Sequence, residues 1–274
     1  MVPAKNVREI LDRASKAGVR VLDTAAEYGS SEQVLGNNLT ANDRFRIVTK
    51  TQPVKAPKIT SEHVQEFQNT FLRSLELLKM DHVYGLLVHH ASDVCKPGGE
   101  LLIDALENEK AAGRAEKIGV SVYGAPDIEG ILERFVPDIV QLPINLADQR
   151  LIKSGHLKEL KRRGAEIHAR SVFLQGLLLT NPEKMPDYFE PVRGKFAKIN
   201  RRIEEQGSSR LQACLGFALE VKELDTILVG VTTNQELSQI IDGAENFGGR
   251  SFDCSDLAIE DERFVDPSQW VLDD

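Results

Sequence analysis

The 274-residue sequence lacks several features that would place it in particular classes of protein. Its three cysteines, Cys95, Cys214 and Cys254, are odd in number and far apart, which argues against a disulfide framework and indicates reduced thiols. No apolar run approaches the ~20 residues that a membrane-spanning helix needs. The N-terminus also has no apolar core of the kind found in signal peptides. We therefore expect a cytoplasmic protein with no membrane partner.

A concentrated positive charge is also missing. The chain has 34 Lys and Arg residues against 42 Asp and Glu residues, a formal net charge of −8. Nine acidic and two basic residues lie between Glu245 and Asp274, so this segment carries −7 of that charge. Without a basic stripe to neutralise phosphates, nucleic acid is a poor candidate partner. We predict an acidic C-terminal extension from about residue 245, solvated at the surface.

The chain contains no tandem repeat and no low-complexity linker, which favours a single domain over residues 1–274. What it does contain is a series of seven short apolar runs, each bounded by turn or polar residues, as buried parallel strands are. The runs cover residues 19–25, 45–50, 83–89, 117–122, 139–142, 165–169 and 226–230. Amphipathic stretches of helical period separate them, and this alternation indicates a mostly parallel sheet of the α/β class.

Five polar residues lie at or near the C-terminal ends of five successive runs. They are Asp23, Lys50, His89, Ser121 and Gln141. In a closed barrel these strand ends meet on one rim, whereas an open sheet spreads them along an edge. The sequence also has no Gly-x-Gly-x-x-Gly between a strand and a helix, the main signal of an open dinucleotide-binding sheet. We therefore predict a (β/α)8 TIM barrel with its chemistry on that rim.

The stretch Gly18–Gly36 contains Asp-Thr-Ala, then Tyr-Gly, then Ser-Glu and Leu-Gly. Further motifs follow in order: Thr49-Lys50, Leu87-Val88-His89, Gly119-Val120-Ser121 and Gln141-Leu142-Pro143. Together they resemble the signature of the aldo-keto reductases, from about residue 5 to the C-terminus. The resemblance implies an oxidoreductase that reduces an aldehyde or ketone with a nicotinamide cofactor. It also implies a small-molecule carbonyl substrate and a monomer or small homo-oligomer.

Carried over to this sequence, the catalytic tetrad of that family falls on Asp23, Tyr28, Lys50 and His89. A carbonyl that accepts hydride on carbon needs a proton on oxygen, and the Tyr28 hydroxyl, with a free pKa near ~10, can supply it. We expect the Lys50 ammonium to lower the pKa of Tyr28 and Asp23 to fix Lys50. His89 would orient the carbonyl. Taken singly, each residue also fits a structural role, such as an Asp23–Lys50 ion pair.

Other chemistries are weaker on this sequence. His89 and His90 suggest a metal, but neighbouring strand residues point to opposite faces, so we predict no metal site. Ser121 lies one position away from the pattern of a nucleophile elbow. Lys50 at a strand end could form a Schiff base, as in barrel aldolases, and this alternative stays open.

The resemblance also assigns residues to the cofactor. Ser121 and Gln141 would hold the nicotinamide carboxamide, although Val122 replaces the usual Asn. Arg170 stands where the family often has an aromatic residue stacked on the nicotinamide, and a guanidinium can stack on a ring. The residues that would line the pyrophosphate are Ser171, Phe173 and Gln175. The run that begins at Arg170 is similar to a bacterial branch of the family often associated with sugar and polysaccharide metabolism.

The remaining cofactor residues follow the last strand, where a helix begins and its free N–H groups suit a phosphate. They are Gly230, Thr232, Thr233 and Gln235. Many family members place Lys and Arg here for the 2′-phosphate of NADP, whereas this chain has Gly230 and Glu236. NADP(H) is favoured by the resemblance, and NAD(H) is the alternative.

The resemblance also changes the expected number of strands. The strand that ends at Asp23 would be the second of eight, and a βαβ unit needs about 30 residues, so the first strand is missing from this chain. We therefore predict a barrel that lacks its first strand. This keeps open a second function, a nicotinamide-binding barrel with little or no turnover that acts as a sensor or interaction subunit.

Overall fold

The structure is a computed structural model that describes residues 4–247, 252 and 254–272. Its strands are β1 Val21–Asp23, β2 Arg46–Lys50, β3 Val83–Val88, β4 Ala115–Ser121, β5 Ile139–Pro143, β6 Glu166–Arg170 and β7 Thr226–Ile227. They form one sheet in chain order, and every neighbouring pair is parallel. The seven predicted strands are confirmed, although β1 and β7 are shorter than their apolar runs.

Helices follow the strands, as the alternating pattern predicts. They are α1 Ala4–Lys16, α2 Ser31–Asn38, α3 Ser61–Leu78, α4 Ser92–Cys95, α5 Glu100–Ala111, α6 Ala125–Leu132, α7 Arg150–Lys153, α8 His156–Arg162, α9 Glu190–Glu205, α10 Arg210–Glu220, α11 Asn234–Glu245 and α12 Glu262–Val265. Short 3₁₀ turns lie between β6 and α9 and on either side of α12. In the ranges that the structure describes, no helix combines the length and the apolar character needed to cross a bilayer.

Local sequence signals explain where the longest helix begins and ends. Thr60 caps α3 in a capping box, in which its backbone N–H donates to His63 Nδ1 at 3.1 Å. The helix ends at Lys79, whose φ of 56° is left-handed and cannot continue a right-handed helix. Phe67, Phe71 and the other apolar residues of this face are buried against the sheet. The helix therefore covers the outside of the barrel wall.

Contacts across the sheet show that it is rolled into a nearly closed barrel. Gln141 on β5 donates a hydrogen bond to Asp23 on β1. At the opposite end, Tyr84 on β3 donates to Glu166 on β6. Val48, Leu87 and Ile139 from three strands belong to a small apolar cluster of their own. The two hydrogen bonds join strands that are not neighbours in the sheet, as expected where a sheet curves round on itself.

The barrel has one gap, between β7 and β1. Among the described strands, β1 pairs only with β2, and β7 pairs only with β6. On the outside, α1 lies against α11, where Arg13 Nε donates to Asn234 Oδ1 at 2.6 Å. The prediction of a (β/α) barrel is therefore confirmed, with seven parallel strands in the part of the chain that the structure describes.

The acidic C-terminal segment is not the solvated extension that its charge suggested. Phe252, Cys254, Ile259, Phe264 and Val265 are all buried. The exposed acidic side chains between them form ion pairs with basic residues of neighbouring helices: Asp256 with Arg202, Glu260 with Lys153, and Glu262 with Arg150. The apolar residues interspersed among the acids drive this packing. Part of the predicted extension, residues 248–251, 253 and 273–274, lies outside the described residues.

Candidate active site

Asp23 and Lys50 form a buried ion pair at the C-terminal ends of β1 and β2. Lys50 Nζ lies 2.6 Å from Asp23 Oδ2 and donates to the Thr24 carbonyl oxygen at 2.9 Å. The Lys50 side chain is only 1 % exposed, and burial lowers its pKa, while the Asp23 carboxylate opposes this shift. Because parallel strands bring these ends together, two residues 27 positions apart meet on the barrel rim.

Tyr28 lies above this pair, in the loop after β1. Lys50 Nζ is 5.0 Å from the centre of the Tyr28 ring, and the residue is 47 % exposed. Burial of the phenol raises the pKa of Tyr28 to about 12, and the Asp23 charge adds to the rise. The pKa of Tyr28 is thus raised, whereas we predicted that Lys50 would lower it. The physical reason is that burial of the phenol, with the nearby Asp23 charge, disfavours the phenolate.

His89 completes the predicted tetrad just beyond β3. Its ring centre lies 5.8 Å from that of Tyr28, edge to face. Burial, with the charges of Lys50 and His90, lowers the pKa of His89 to about 4, so its imidazole is neutral at physiological pH. Its buried Nδ1 makes no hydrogen bond to any residue that the structure describes, and it lies 3.4 Å from Glu27 Oε2. A neutral imidazole carries one N–H donor that a carbonyl oxygen could accept.

His90 is closer to His89 than strand geometry predicts. Both residues follow the end of β3, so the alternation of side chains along a strand does not apply to them. Their ring centres are 5.4 Å apart, and His90 also contacts the Tyr123 ring at 6.2 Å. Within the described ranges, no three His, Cys, Asp or Glu side chains are grouped so that they could hold a metal ion.

Ser121 ends β4, and Gln141 lies on the neighbouring strand β5, two residues before its end. They lie opposite each other in the parallel register and are 3 % and 1 % exposed. Gln141 Nε2 donates to Asp23 Oδ1 at 2.8 Å, which joins this pair of residues to the ion pair with Lys50. The structure thus brings the five predicted strand-end residues and Tyr28 to one rim.

Arg170 ends β6, and its guanidinium packs against an aromatic ring. Its Cζ is 4.4 Å from the centre of the Tyr123 ring, and Nη2 donates to the Val122 carbonyl oxygen at 2.9 Å. The Arg170 charge lowers the pKa of both Tyr28 and His89, so it acts on the candidate site. Tyr123 was not predicted as a site residue, although its position just after the end of β4 was an available signal.

The loop after β6 contains the predicted pyrophosphate residues in an unusual backbone. Ser171, Leu174 and Gln175 have φ values of 59°, 47° and 53°, in the left-handed region that residues other than glycine rarely adopt. Such conformations are costly and are concentrated at ligand sites. Phe173 is half-buried and Gln175 is exposed. No hydrogen bond or ring contact in the described part of the chain joins Phe173 or Gln175 to the tetrad.

The last segment predicted to bind the cofactor lies around the N-terminus of α11. Its hydrogen bonds described below involve no residue of the tetrad. Glu236 Oε2 accepts from the backbone N–H of Thr232 at 2.7 Å and of Thr233 at 3.2 Å. Thr233 Oγ1 in turn accepts from the Glu236 N–H, which completes a capping box. Gly230 and Gln235 make none of these contacts. A carboxylate therefore already occupies N–H groups that a phosphate would use.

Two polar side chains at the rim, Ser121 and Gln141, fit the carboxamide of a nicotinamide cofactor. The Gln141 amide nitrogen faces the Asp23 carboxylate, because a carboxylate only accepts, and this directs the amide oxygen elsewhere. Among the described residues, no protein group makes a hydrogen bond to that oxygen or to the Ser121 hydroxyl. A carboxamide can both donate and accept, and so could bind both residues.

Comparison with known proteins identifies the family of the chain. Residues 1–247 match the family model of the Aldo/keto reductase family, and the chain belongs to this family. An aldo-keto reductase of Mycolicibacterium smegmatis is 31 % identical over 158 residues, 52 % of this chain and 51 % of that protein. One from Mycolicibacterium vanbaalenii is 29 % identical over 182 residues, 62 % of this chain and 59 % of that protein. The chain thus matches between half and three-fifths of the length of these relatives.

Solved structures share the fold at low sequence identity. The holo form of an aldo-keto reductase from Bacillus halodurans has a TM-score of 0.76 at 16 % identity, covering 98 % of this chain and 92 % of that one. The glycerol dehydrogenase of Gluconobacter oxydans has a TM-score of 0.70 at 18 % identity, covering 99 % and 89 %. At these identities the likeness shows the barrel fold alone.

Proposed function

We propose that this chain reduces an aldehyde or ketone, or oxidises the corresponding alcohol, with a nicotinamide cofactor. The observation that carries the proposal is the convergence of Tyr28, Lys50, Asp23 and His89 on one barrel rim, within the contacts given above. A reduced nicotinamide, when bound, would supply the hydride for the carbonyl carbon. Every other requirement of the reaction falls to side chains of this chain.

The proton for the carbonyl oxygen comes from Tyr28. With a pKa of about 12, its hydroxyl is protonated at neutral pH and carries the proton that the alkoxide needs. The Lys50 ammonium, held by Asp23, faces the ring that becomes a phenolate and stabilises it. The neutral His89 donates an N–H to the carbonyl oxygen and orients it.

The cofactor is proposed to lie along the rim from β4 to the start of α11. Ser121 and Gln141 would hold the carboxamide, and Arg170 would stack on the nicotinamide. The loop residues Ser171, Phe173 and Gln175 would line the pyrophosphate. At the start of α11, Gly230, Thr232, Thr233 and Gln235 would contact the adenosine end.

The choice between the two cofactors depends on the start of α11. Family resemblance favours NADP(H). The Glu236 carboxylate opposes it, because it already accepts the Thr232 and Thr233 N–H groups and would repel a 2′-phosphate. Arg13 on α1 contacts Asn234 at this helix end and is a basic residue within reach of a phosphate there.

The proposed substrate is a small carbonyl compound, and the proposed location is the cytoplasm. The three cysteines of the chain form no disulfide among the described residues, which suits a reducing compartment. A monomer or small homo-oligomer remains the prediction for its assembly.

Separate titrations with NADPH and NADH, followed by a panel of aldehydes, test the proposal. The expected result is binding of one cofactor in the micromolar range and loss of reduced-nicotinamide absorbance with at least one aldehyde. Binding without turnover, unchanged by Tyr28→Phe, would instead support a sensor or interaction subunit. Covalent trapping of a carbonyl substrate on Lys50 by borohydride would support the Schiff-base alternative. Failure of both cofactors to bind would refute the proposal.

A further inference from the structure

Gln141 makes a contact that its expected role in cofactor binding does not require. Its Nε2 donates to Asp23 Oδ1 at 2.8 Å, while Lys50 Nζ lies 2.6 Å from the other oxygen, Oδ2. The Asp23 carboxylate is therefore held from two sides, by a cation from β2 and by an amide from β5 across the barrel. Since Gln141 is 1 % exposed, its amide group has little freedom to turn away.

Asp23 depends on such a tether because of its place in the sheet. It ends β1, a strand of three half-buried residues with a single described neighbour, β2. By contrast, β5 lies in the middle of the sheet between β4 and β6 and is buried along its length. The hydrogen bond from Gln141 thus anchors a side chain on an edge strand to a rigid central strand.

We propose that Gln141 is a positioning residue that couples the seating of the cofactor to the catalytic ion pair. Its amide nitrogen fixes Asp23 against Lys50, and its amide oxygen is left to receive the N–H of the cofactor carboxamide. The inference rests on the proposed function. A cofactor bound to the Gln141 oxygen would also fix the orientation of the amide nitrogen. It would thereby hold Asp23 and Lys50 in place relative to Tyr28.

The ionisation of Lys50 is the property that should change when Gln141 is replaced. Lys50 faces Asp23 from β1, Tyr28 from the following loop, His89 from beyond β3 and the Arg170 charge from β6. Of these groups, Asp23 opposes the lowering of the Lys50 pKa that burial causes, and Arg170 adds to the lowering. If Asp23 loses its tether and turns away, Lys50 loses its proton at a lower pH.

The first arm of the test is the pH profile of kcat. We expect Gln141→Leu to move the basic limb to lower pH by about one unit or more, the usual scale for loss of a nearby opposite charge. Gln141→Glu adds a second carboxylate near Lys50, so its basic limb should not move to lower pH. Its kcat should recover in part below pH 5, where a protonated Glu can again donate to Asp23. A purely structural role would lower kcat at every pH without moving the limb.

Gln149→Leu is the matched control. Gln149 is also a buried glutamine, 4 % exposed, and its Nε2 makes one described hydrogen bond, to the Leu146 carbonyl oxygen at 2.9 Å. Its replacement should cost a similar amount of stability. It should leave the pH profile of kcat where it is in the wild type.

The second arm measures binding and needs no turnover. A cofactor analogue with an acetyl group in place of the carboxamide lacks the N–H₂ that would donate to Gln141. The wild type should bind it about three- to tenfold more weakly than the natural cofactor, the effect of one lost hydrogen bond. Gln141→Leu should bind both equally.

The two arms separate failure of this inference from failure of the proposed function. An active wild type combined with an unmoved basic limb in Gln141→Leu would overturn the coupling and leave the reductase function intact. An equal preference for the natural cofactor in wild type and Gln141→Leu would overturn the contact with the carboxamide. A wild type that binds neither cofactor would refute the proposed function itself.

Discussion

Replacing Tyr28 with phenylalanine should abolish most of the activity and leave the fold unchanged. A pKa of about 12 means that essentially every Tyr28 hydroxyl is protonated at pH 7, so the variant loses the entire contribution of a general acid. Such a contribution is about 10²- to 10⁴-fold in kcat. The side chain is half-exposed, and its hydroxyl makes no hydrogen bond within the described residues, so the free energy of unfolding should change by less than about 0.5 kcal/mol.

Tyr84→Phe is the matched control, and the opposite result is expected for it. Tyr84 is 7 % exposed at the other end of the barrel, where its hydroxyl donates to Glu166 Oε2 at 2.6 Å. Loss of a hydrogen bond to a charged acceptor costs about 1.5–3 kcal/mol. Its kcat should stay within a factor of two to three of the wild type, because the group is remote from the rim residues.

The assay combines initial rates of aldehyde reduction with urea unfolding of each variant. Tyr28→Phe should retain its affinity for the reduced cofactor, since its hydroxyl acts on the substrate oxygen. Retention of kcat within threefold in an otherwise active enzyme would refute the role of Tyr28 as the acid. A large loss of stability in Tyr28→Phe would show that its hydroxyl has a structural role instead.

Three further predictions follow from other parts of the molecule. The pKa of His89 in the folded state is about 4, against a usual 6.5, so the free energy of unfolding of the wild type should decrease as the pH falls from 6.5 to 4. His89→Gln should remove roughly 3 kcal/mol of this decrease, measured by urea unfolding at both pH values. Glu236→Gln should raise the affinity for NADPH relative to NADH about two- to fivefold in fluorescence titrations, and an unchanged ratio would place the 2′-phosphate elsewhere. Gly119→Ala should prevent folding, because the added Cβ would lie 1.9 Å from the Ile139 carbonyl oxygen. Gly194 in α9 has open space around it, so Gly194→Ala should stabilise the protein by about 0.5–1 kcal/mol in thermal melts.

The sequence predicted the strands well because each is a local pattern. A short β-branched run between polar residues is recognisable without knowledge of its neighbours, and the order of the motifs then placed Asp23, Lys50 and His89 on successive strands. The lengths of β1 and β7 were overestimated. Apolar residues beyond an edge strand still read as strand, although they lack a partner to extend the ladder.

Interactions across the barrel could not be read from local patterns. The hydrogen bond from Gln141 to Asp23 joins residues 118 positions apart, and it depends on the curvature of the whole sheet. The direction of the Tyr28 pKa shift depends on how deeply the phenol is buried and on how close the Asp23 charge lies to it. Packing of the C-terminal segment was hidden by its charge, since its buried apolar residues occur in groups of one to three separated by acids.

The gap between β7 and β1 has a consequence for how this molecule loses activity. Edge strands with few backbone partners open at lower free energy than the strands of a sheet interior. Asp23 lies on such an edge, while its partners Lys50 and Gln141 lie on strands paired on both sides. On warming, local opening of β1 should separate the ion pair before the remaining six strands unfold. Inactivation should therefore precede global melting, and amide hydrogen exchange should be faster in β1 than in β2 or β5.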